Sequence, residues 1–310
     1  MISRLPSWIA LAVALGAVGV TVARTSGRSA ASATRTTIVM LGTGTPIPDP
    51  DRSGPAVAVV VDGTAYLFDA GAGVVRRAAA ASRDGVAGLR AAQLGHVFLT
   101  HLHSDHTMGL NDVMFTPWIQ GRTVPLEIFG PPGTSRLVRG ILDGNDEDIQ
   151  QRIASADGPS ATAWQPNVHE IAEGVVHQDA RIAVRAFAVP HSTWRYAFGY
   201  RITTPDRTIV LSGDTRANPA VARECNGCDV LIHEVYADAG LAGLPEGRRS
   251  YHRQAHTSGM QVGDIAAAAK PGLLVLYHQL YWTATDEELL REVRARFTGR
   301  VVSAKDLERY

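Results

Sequence analysis

Cysteine is nearly absent: two residues in 310 cannot build a disulfide-dense scaffold or a four-thiolate metal site. Net charge is missing as well. The 30 Lys plus Arg cancel the 30 Asp plus Glu, so no global field draws the chain to a polyanion, although a local basic groove would survive that balance. No sequence repeat at a fixed period is visible, which argues against a solenoid. What remains is a chain with 45% apolar residues, 30 Gly and 16 Pro. Its length suits one large domain or two intimate halves with a sizeable core.

A long apolar run is also lacking. Ile9 to Ala23 carries no charge, but its fifteen residues fall short of the about 20 needed for a bilayer span and suit a signal peptide's core. Small residues that could precede cleavage end at Ala23 and Ala33, and a Ser/Ala/Thr/Arg stretch follows. Residues 1–35 are therefore expected to be a signal peptide or a retained N-terminal anchor plus linker, and 36–310 a single domain. A periplasmic or secreted protein follows from that, with membrane contact only if the segment is retained.

In the mature chain, Ile38–Leu41 is a short strand entering Gly42-Thr43-Gly44-Thr45-Pro46. That turn lacks the Lys and hydroxyl of a nucleotide P-loop. Ala56–Val61 and Tyr66–Phe68 flank Asp62-Gly63 as a hairpin, and Phe198–Ile202 with Ile209–Leu211 flank Thr204-Pro205-Asp206 as another. Val97–Leu99, Leu126–Phe129, Ile182–Val189, Val230–Ile232 and Leu273–Tyr277 are further strands. Helices are expected across Val74–Ala81, Ser135–Ile141, Glu147–Ala154, Met260–Lys270 and Glu287–Phe297. Hairpins between many neighbouring strands disfavour a doubly wound sheet and favour two mixed β-sheets covered by outer helices. A soft division between the halves falls near Asp157–Gln165.

The chemistry concentrates after one strand. His101, His103, Asp105 and His106 form HxHxDH directly beyond Val97–Leu99, and nitrogen plus oxygen donors on one turn suit zinc or another first-row divalent ion. His191, Asp214 and His278 each stand at the end of an apolar strand, where rigid sheets place chemistry. Seven donors exceed the needs of one tetrahedral ion. Two zinc ions account for all of them, with His101, His103 and His191 on one, Asp105, His106 and His278 on the other, and Asp214 bridging. Such a pair can hold a hydroxide nucleophile and polarise a phosphoryl or acyl oxygen.

These motifs resemble the metallo-beta-lactamase superfamily, and within it the ribonuclease Z and arylsulfatase-like branch. The resemblance rests on LGTGTP (Leu41–Pro46), LFDAG (Leu67–Gly71), THLHSDHTMGL (Thr100–Leu110), GPPG (Gly130–Gly133), PHS (Pro190–Ser192), SGDT (Ser212–Thr215), LIHE (Leu231–Glu234), His256 and His278. It implies a four-layer αβ/βα sandwich with a dinuclear zinc site between two sheets, and hydrolysis of an ester. It further implies that Asp105 accepts a proton as well as ligating metal, and that His256 matches a late, non-ligating His that can protonate a leaving group. Glu234 could orient a neighbouring His. A homodimer is suggested only by the resemblance.

Two features argue against RNA. In the long bacterial ribonuclease Z pattern a tRNA-gripping arm stands between the positions of His191 and Asp214; here the interval is 23 positions, which two strands and their turns consume. An export signal would also separate the enzyme from RNA. The expectation is thus an exported hydrolase of a small phosphodiester, sulfate ester or lactone, using metal-bound hydroxide, with a small organic ester as partner and tRNA unlikely. An armless, ribonuclease Z-like endonuclease of RNA 3′ ends is the alternative. Trp194, Tyr196, Phe198, Tyr281 and Trp282 either pack the sandwich or line a cleft by the metals. Cys225 and Cys228 could pair as a small-loop disulfide or remain structural thiols.

Overall fold

The computed structural model describes residues 1–2, 35–155 and 158–310. The expected signal peptide or anchor falls almost wholly outside them. Among the described residues no helix is long and apolar enough to cross a membrane.

Six strands, β1 (Thr36–Gly42), β2 (Ala56–Val61), β3 (Thr64–Phe68), β4 (His96–Phe98), β5 (Glu127–Gly130) and β6 (Asn167–Glu170), form one sheet in sequential order. The second sheet runs, in reverse spatial order, through β7 (Gly174–Gln178), β8 (Ala183–Ala188), β9 (Phe198–Thr203), β10 (Thr208–Leu211), β11 (Val230–Tyr236), β12 (Leu273–Leu280) and β13 (Val301–Ser303). The helices of the first half are α1 (Val74–Arg83), α2 (Ser104–Thr107), α3 (Leu110–Ile119), α4 (Thr134–Gly144) and α5 (Asp146–Ile153). Those of the second half are α6 (Pro219–Cys225), α7 (Asp238–Ala242), α8 (Glu246–Ala255), α9 (Gly259–Ala269) and α10 (Asp286–Arg294).

The layering follows from strands that are apolar on both faces. Along β1, Val39 and Leu41 pack with α1 and α3, whereas Ile38 and Met40 face the other sheet. That inter-sheet layer also holds Phe68, Phe98, Tyr200, Ile232 and Val275, and a third layer joins the second sheet to α6, α9 and α10. Three apolar layers between four layers of structure make the expected αβ/βα sandwich, because side chains on successive strand residues point to opposite faces. Serine and threonine fix two of the outer helices: Ser258 with Gln261 caps α9, and Thr285 with Glu288 caps α10.

Some boundaries differ from expectation. The division between the sheets falls at Glu170–Gly174, later than the Asp157–Gln165 loop, because β6 returns to the first sheet. β11 runs on through His233 and Glu234, both fully buried, and β12 runs past His278. The pairing slips there: Glu234 faces Tyr277 and Val235 faces Gln279, so His278 is an extra residue with φ 47°. Such a bulge re-aims a side chain without ending the strand. Cys225 and Cys228 are joined as a disulfide after α6.

Candidate metal centre

β3 to β6 run parallel, as do β10 to β13, and β8 and β10 are both antiparallel to β9. Residues following their C-terminal ends are therefore gathered at an edge of each sheet. His101 and His103 leave β4, and the single turn of α2 swings Asp105 and His106 back beside them. His191 leaves β8. Asp214 follows β10 across Gly213, whose φ of 60° and close approach to the Phe198 carbonyl exclude a side chain there.

All seven expected donors come together. His101, His103, His191 and Asp214 form one group, and Asp105, His106 and His278 a second, the donor atoms of each lying within 4.8 Å of one another. His103 Nδ1 stands 2.9 Å from His101 Nε2 and 3.1 Å from His191 Nε2. His278 Nε2 stands 3.2 Å from Asp105 Oδ2. Asp214 occupies the middle: its Oδ2 is 3.4 Å from His106 Nε2, 3.6 Å from His278 Nε2, and 3.9 Å from His101 Nε2 and His191 Nε2. Both groups of donors thus share one carboxylate.

The chemistry of this donor set fits cations. Three imidazole nitrogens point at a common spot, while His106 Nε2 and Asp214 Oδ1 are buried without a hydrogen-bond partner, a costly arrangement unless charge of opposite sign sits among them. Burial drives His101 well below the usual imidazole range, and burial with the nearby His191 takes His103 down to about 4. Neutral imidazoles are the ligating form. Burial disfavours charge on His106 too, yet Asp214 and Asp69 pull it well above its ordinary value. Burial likewise opposes ionisation of Asp214, but His278 and His106 hold it well below the carboxylate range. The middle of the cluster draws positive charge.

A second ring orients these side chains. Asp69, held at φ 62° after β3, accepts from His106 Nδ1 at 2.8 Å and from the Thr100 backbone N–H at 2.8 Å. His191 Nδ1 donates to the Ala255 carbonyl at 2.7 Å. Glu234 Oε2 lies 3.1 Å from His256 Nδ1, and its Oε1 accepts from the Thr257 backbone at 2.8 Å. His256 joins Asp214 and His278 in a third possible donor group. Burial takes His256 down to about 4 against the pull of Asp214, so the ring is neutral at pH 7 before substrate charge develops. It lines a cleft of about 170 Å³ with Tyr251, His252 and the metal-facing carboxylates.

Sequence reasoning gave Asp69 no role of its own, since its partner lies 37 positions away and no local pattern links them. Trp194 is also placed by folding: a tight turn from His191 brings its indole Nε1 to 2.6 Å from His103 Nε2. Of the remaining histidines, His96 and His177 pack against Tyr66 with tilted rings, and His169 pairs with Glu127, away from the donor cluster.

Residues 64–279 match the profile of the Beta-lactamase superfamily domain. Over 266 residues the chain is 37% identical to the ribonuclease Z of Mycobacterium avium (strain 104), covering 83% of this chain and 91% of that relative. The chain belongs to the metallo-beta-lactamase superfamily, in its ribonuclease Z branch. Its fold matches human tRNase Z, short form, with a TM-score of 0.66 at 22% identity over 88% of this chain and 98% of that one. The metallo-beta-lactamase fold protein YhfI from Bacillus subtilis matches equally, at 0.66 and 19% identity over 89% and 99%. As a superfamily member the chain is a metal-dependent hydrolase of ester bonds.

Two expectations are overturned by these relatives: that the substrate is a small phosphodiester, sulfate ester or lactone, and that the partner is a small organic ester with tRNA unlikely. The curated relative carries the name ribonuclease Z and is matched over 91% of its length. The short interval from His191 to Asp214 and the apolar N-terminal run had pointed away from RNA. The likeness to ribonuclease Z instead extends over 266 residues and 83% of this chain, so the ribonuclease Z-like alternative is the better supported one.

Proposed function

We propose that this chain is a ribonuclease Z-like endonuclease that cuts an RNA phosphodiester close to a 3′ end. The observation that carries the reading is Asp214 Oδ2 standing within 3.9 Å of four imidazoles from two donor groups, in a chain 37% identical to a ribonuclease Z. His101, His103 and His191 would hold one first-row divalent cation, Asp105, His106 and His278 a second, and Asp214 both; zinc suits these nitrogen and oxygen donors. When bound, the pair supplies electrostatic stabilisation of the attacking and departing oxygens.

The chain's own residues then divide the work. Asp105, held below the usual carboxylate range by His278 and His106 although burial opposes it, accepts the proton lost as water attacks phosphorus. His256 faces the same cleft as a relay: its neutral ring passes the Nε2 proton to the departing ribose oxygen while Nδ1 takes one from the Glu234 carboxyl 3.1 Å away, which burial and Asp214 raise well above the usual carboxylate range. Asp69 and the Ala255 carbonyl keep His106 and His191 from rotating.

We also propose that residues 1–35 tether the chain to the membrane or carry it out of the cytoplasm, in which second case the RNA it cuts is RNA that has itself left the cytoplasm. The charge-free run and the Cys225–Cys228 disulfide support this, since such pairings persist in oxidising compartments. Fusing residues 1–40 to a reporter active only after export tests it, and a silent fusion would refute it.

The functional experiment compares initial rates on a structured precursor RNA with a 3′ trailer and on an unstructured RNA of equal length, before and after chelation. Metal-dependent cleavage favouring the structured RNA is expected. Equal rates on both, or metal-independent cleavage, would overturn the reading.

A further inference from the structure

Beside the metal centre lies a second concavity, a trough of about 550 Å³ between α4 and the turn that carries Trp194. It is lined by Leu102, Leu137, Ile141, the Trp194 indole and the exposed Gly140 and Arg136. Leu102 separates His101 from His103, and Trp194 touches His103 at 2.6 Å, so the trough lies next to the donor cluster. No acidic side chain lines it. Arg136 is exposed and, among the described residues, forms no ion pair; Arg195, beside Trp194 in sequence, stacks on Tyr196 at 5.1 Å and forms none either.

We propose that this trough is a nucleotide subsite: it takes one unpaired base of the RNA flanking the scissile phosphate on the His103 side, stacked on Trp194, with the adjoining phosphate at Arg136. The inference rests on the ribonuclease reading above and adds to it where the substrate lies. An apolar slot ending in an indole face suits any base, because every base has a stacking face. An exposed, unpaired guanidinium suits a phosphate and does not suit an apolar peptide or lipid tail. The volume is in the range of roughly 300–1,000 Å³ typical of small-ligand sites. Gly140 lies on the exposed side of α4, and a Cβ there meets nothing within 4 Å. The trough can therefore be filled from Gly140 without disturbing the donors, and a larger residue also removes the helix penalty of glycine.

The test uses the full chain, zinc-reconstituted, and structured RNAs that are intact or abasic at each nucleotide flanking the cut. Wild type should show one flanking position at which removing the base raises KM by about tenfold or more, as base stacking on an aromatic ring warrants. Gly140→Phe, with unchanged metal content and Tm, should cleave the intact RNA with the KM of the abasic one, leaving kcat little changed. Arg136→Gln should raise KM severalfold and weaken its salt dependence, and Arg136→Lys should restore part of it; this second variant stands if Gly140→Phe fails to fold. An abasic penalty that survives in Gly140→Phe, or none in wild type while RNA is still cleaved, overturns the subsite alone. A wild type that cleaves no RNA overturns the ribonuclease reading and the subsite with it.

Discussion

Asp69 holds His106 in place: its Oδ2 accepts from His106 Nδ1 at 2.8 Å, leaving Nε2 aimed at Asp105 and Asp214, 3.5 and 3.4 Å away. The carboxylate touches no cation position itself, yet it fixes the tautomer and the ring angle of a donor. Asp69→Asn should weaken metal affinity by about 10- to 100-fold, the usual cost of losing such a support. Competition with a chromophoric chelator measures it, and wild-type affinity would deny Asp69 this part.

Removing the shared carboxylate should do more. Asp214→Ala leaves two groups of three donors with no bridge and five imidazoles facing an emptied centre, so bound metal should fall below two per chain and activity by about a hundredfold or more. Elemental analysis after exhaustive dialysis gives the count. Two tightly held ions in the variant would remove Asp214 from the bridging position.

His256→Ala should keep its metal and lose rate selectively. A neutral ring hydrogen-bonded to Glu234 at 3.1 Å matters most when the departing oxygen is basic, so aryl phosphodiesters with poor leaving groups should slow by about 10- to 100-fold and those with good leaving groups much less. Equal slowing across the series would take away the proton-donor role.

Arg122 carries a different kind of load. It is almost wholly buried, and its guanidinium donates to the carbonyls of Val113 and Met114 at 3.0 and 2.8 Å, with longer contacts to Leu94, Val124 and Ala163. Burial alone brings it down to about 10, still charged at neutral pH. Arg122→Leu strands several buried carbonyls and should cost about 2–4 kcal/mol. Urea unfolding measures the loss, and a change under about 1 kcal/mol would show that water or a rearranged turn replaces the guanidinium.

Stability should depend on acid through Asp179. Burial opposes its charge, but the Tyr66 hydroxyl at 2.6 Å and the backbone N–H groups of Arg181 and Ile182 lower it to about 2 from an ordinary 3.8. A folded value below the unfolded one stabilises above about pH 4 and loses that contribution as pH falls toward 2. Asp179→Asn should therefore be less stable at pH 7, with the difference shrinking below pH 4. A difference constant down to pH 3 would contradict this.

The donors were legible because each announces itself locally. HxHxDH packs four ligand-type residues into six positions, and His191 and Asp214 close apolar strands whose parallel arrangement carries them to a common edge. His278 was found for the same reason, though it turns toward the site from within β12 through a bulge that no residue pattern signals. Of the supports only Glu234 was legible, expected to orient a neighbouring His and found 3.1 Å from His256 Nδ1; the others were not. Asp69 and His106, Trp194 and His103, and His191 and the Ala255 carbonyl meet across 37, 91 and 64 positions, so only the folded sheets bring them together. β6 and β7 escaped notice because they are short, mostly exposed strands at the far edge of each sheet, where alternation is weak. Helix α3 is apolar nearly all round and lies buried, so it shows no amphipathic stripe to read.

The most direct test maps, at nucleotide resolution, the cut made in a structured precursor RNA by the zinc-reconstituted protein, with Asp214→Ala alongside. The expected result is one cut at a single position near the 3′ end, abolished by chelation, restored by zinc and absent in the variant. Scattered cuts, no cut at all, or a cut that survives in Asp214→Ala would contradict an RNA-processing centre built around that carboxylate.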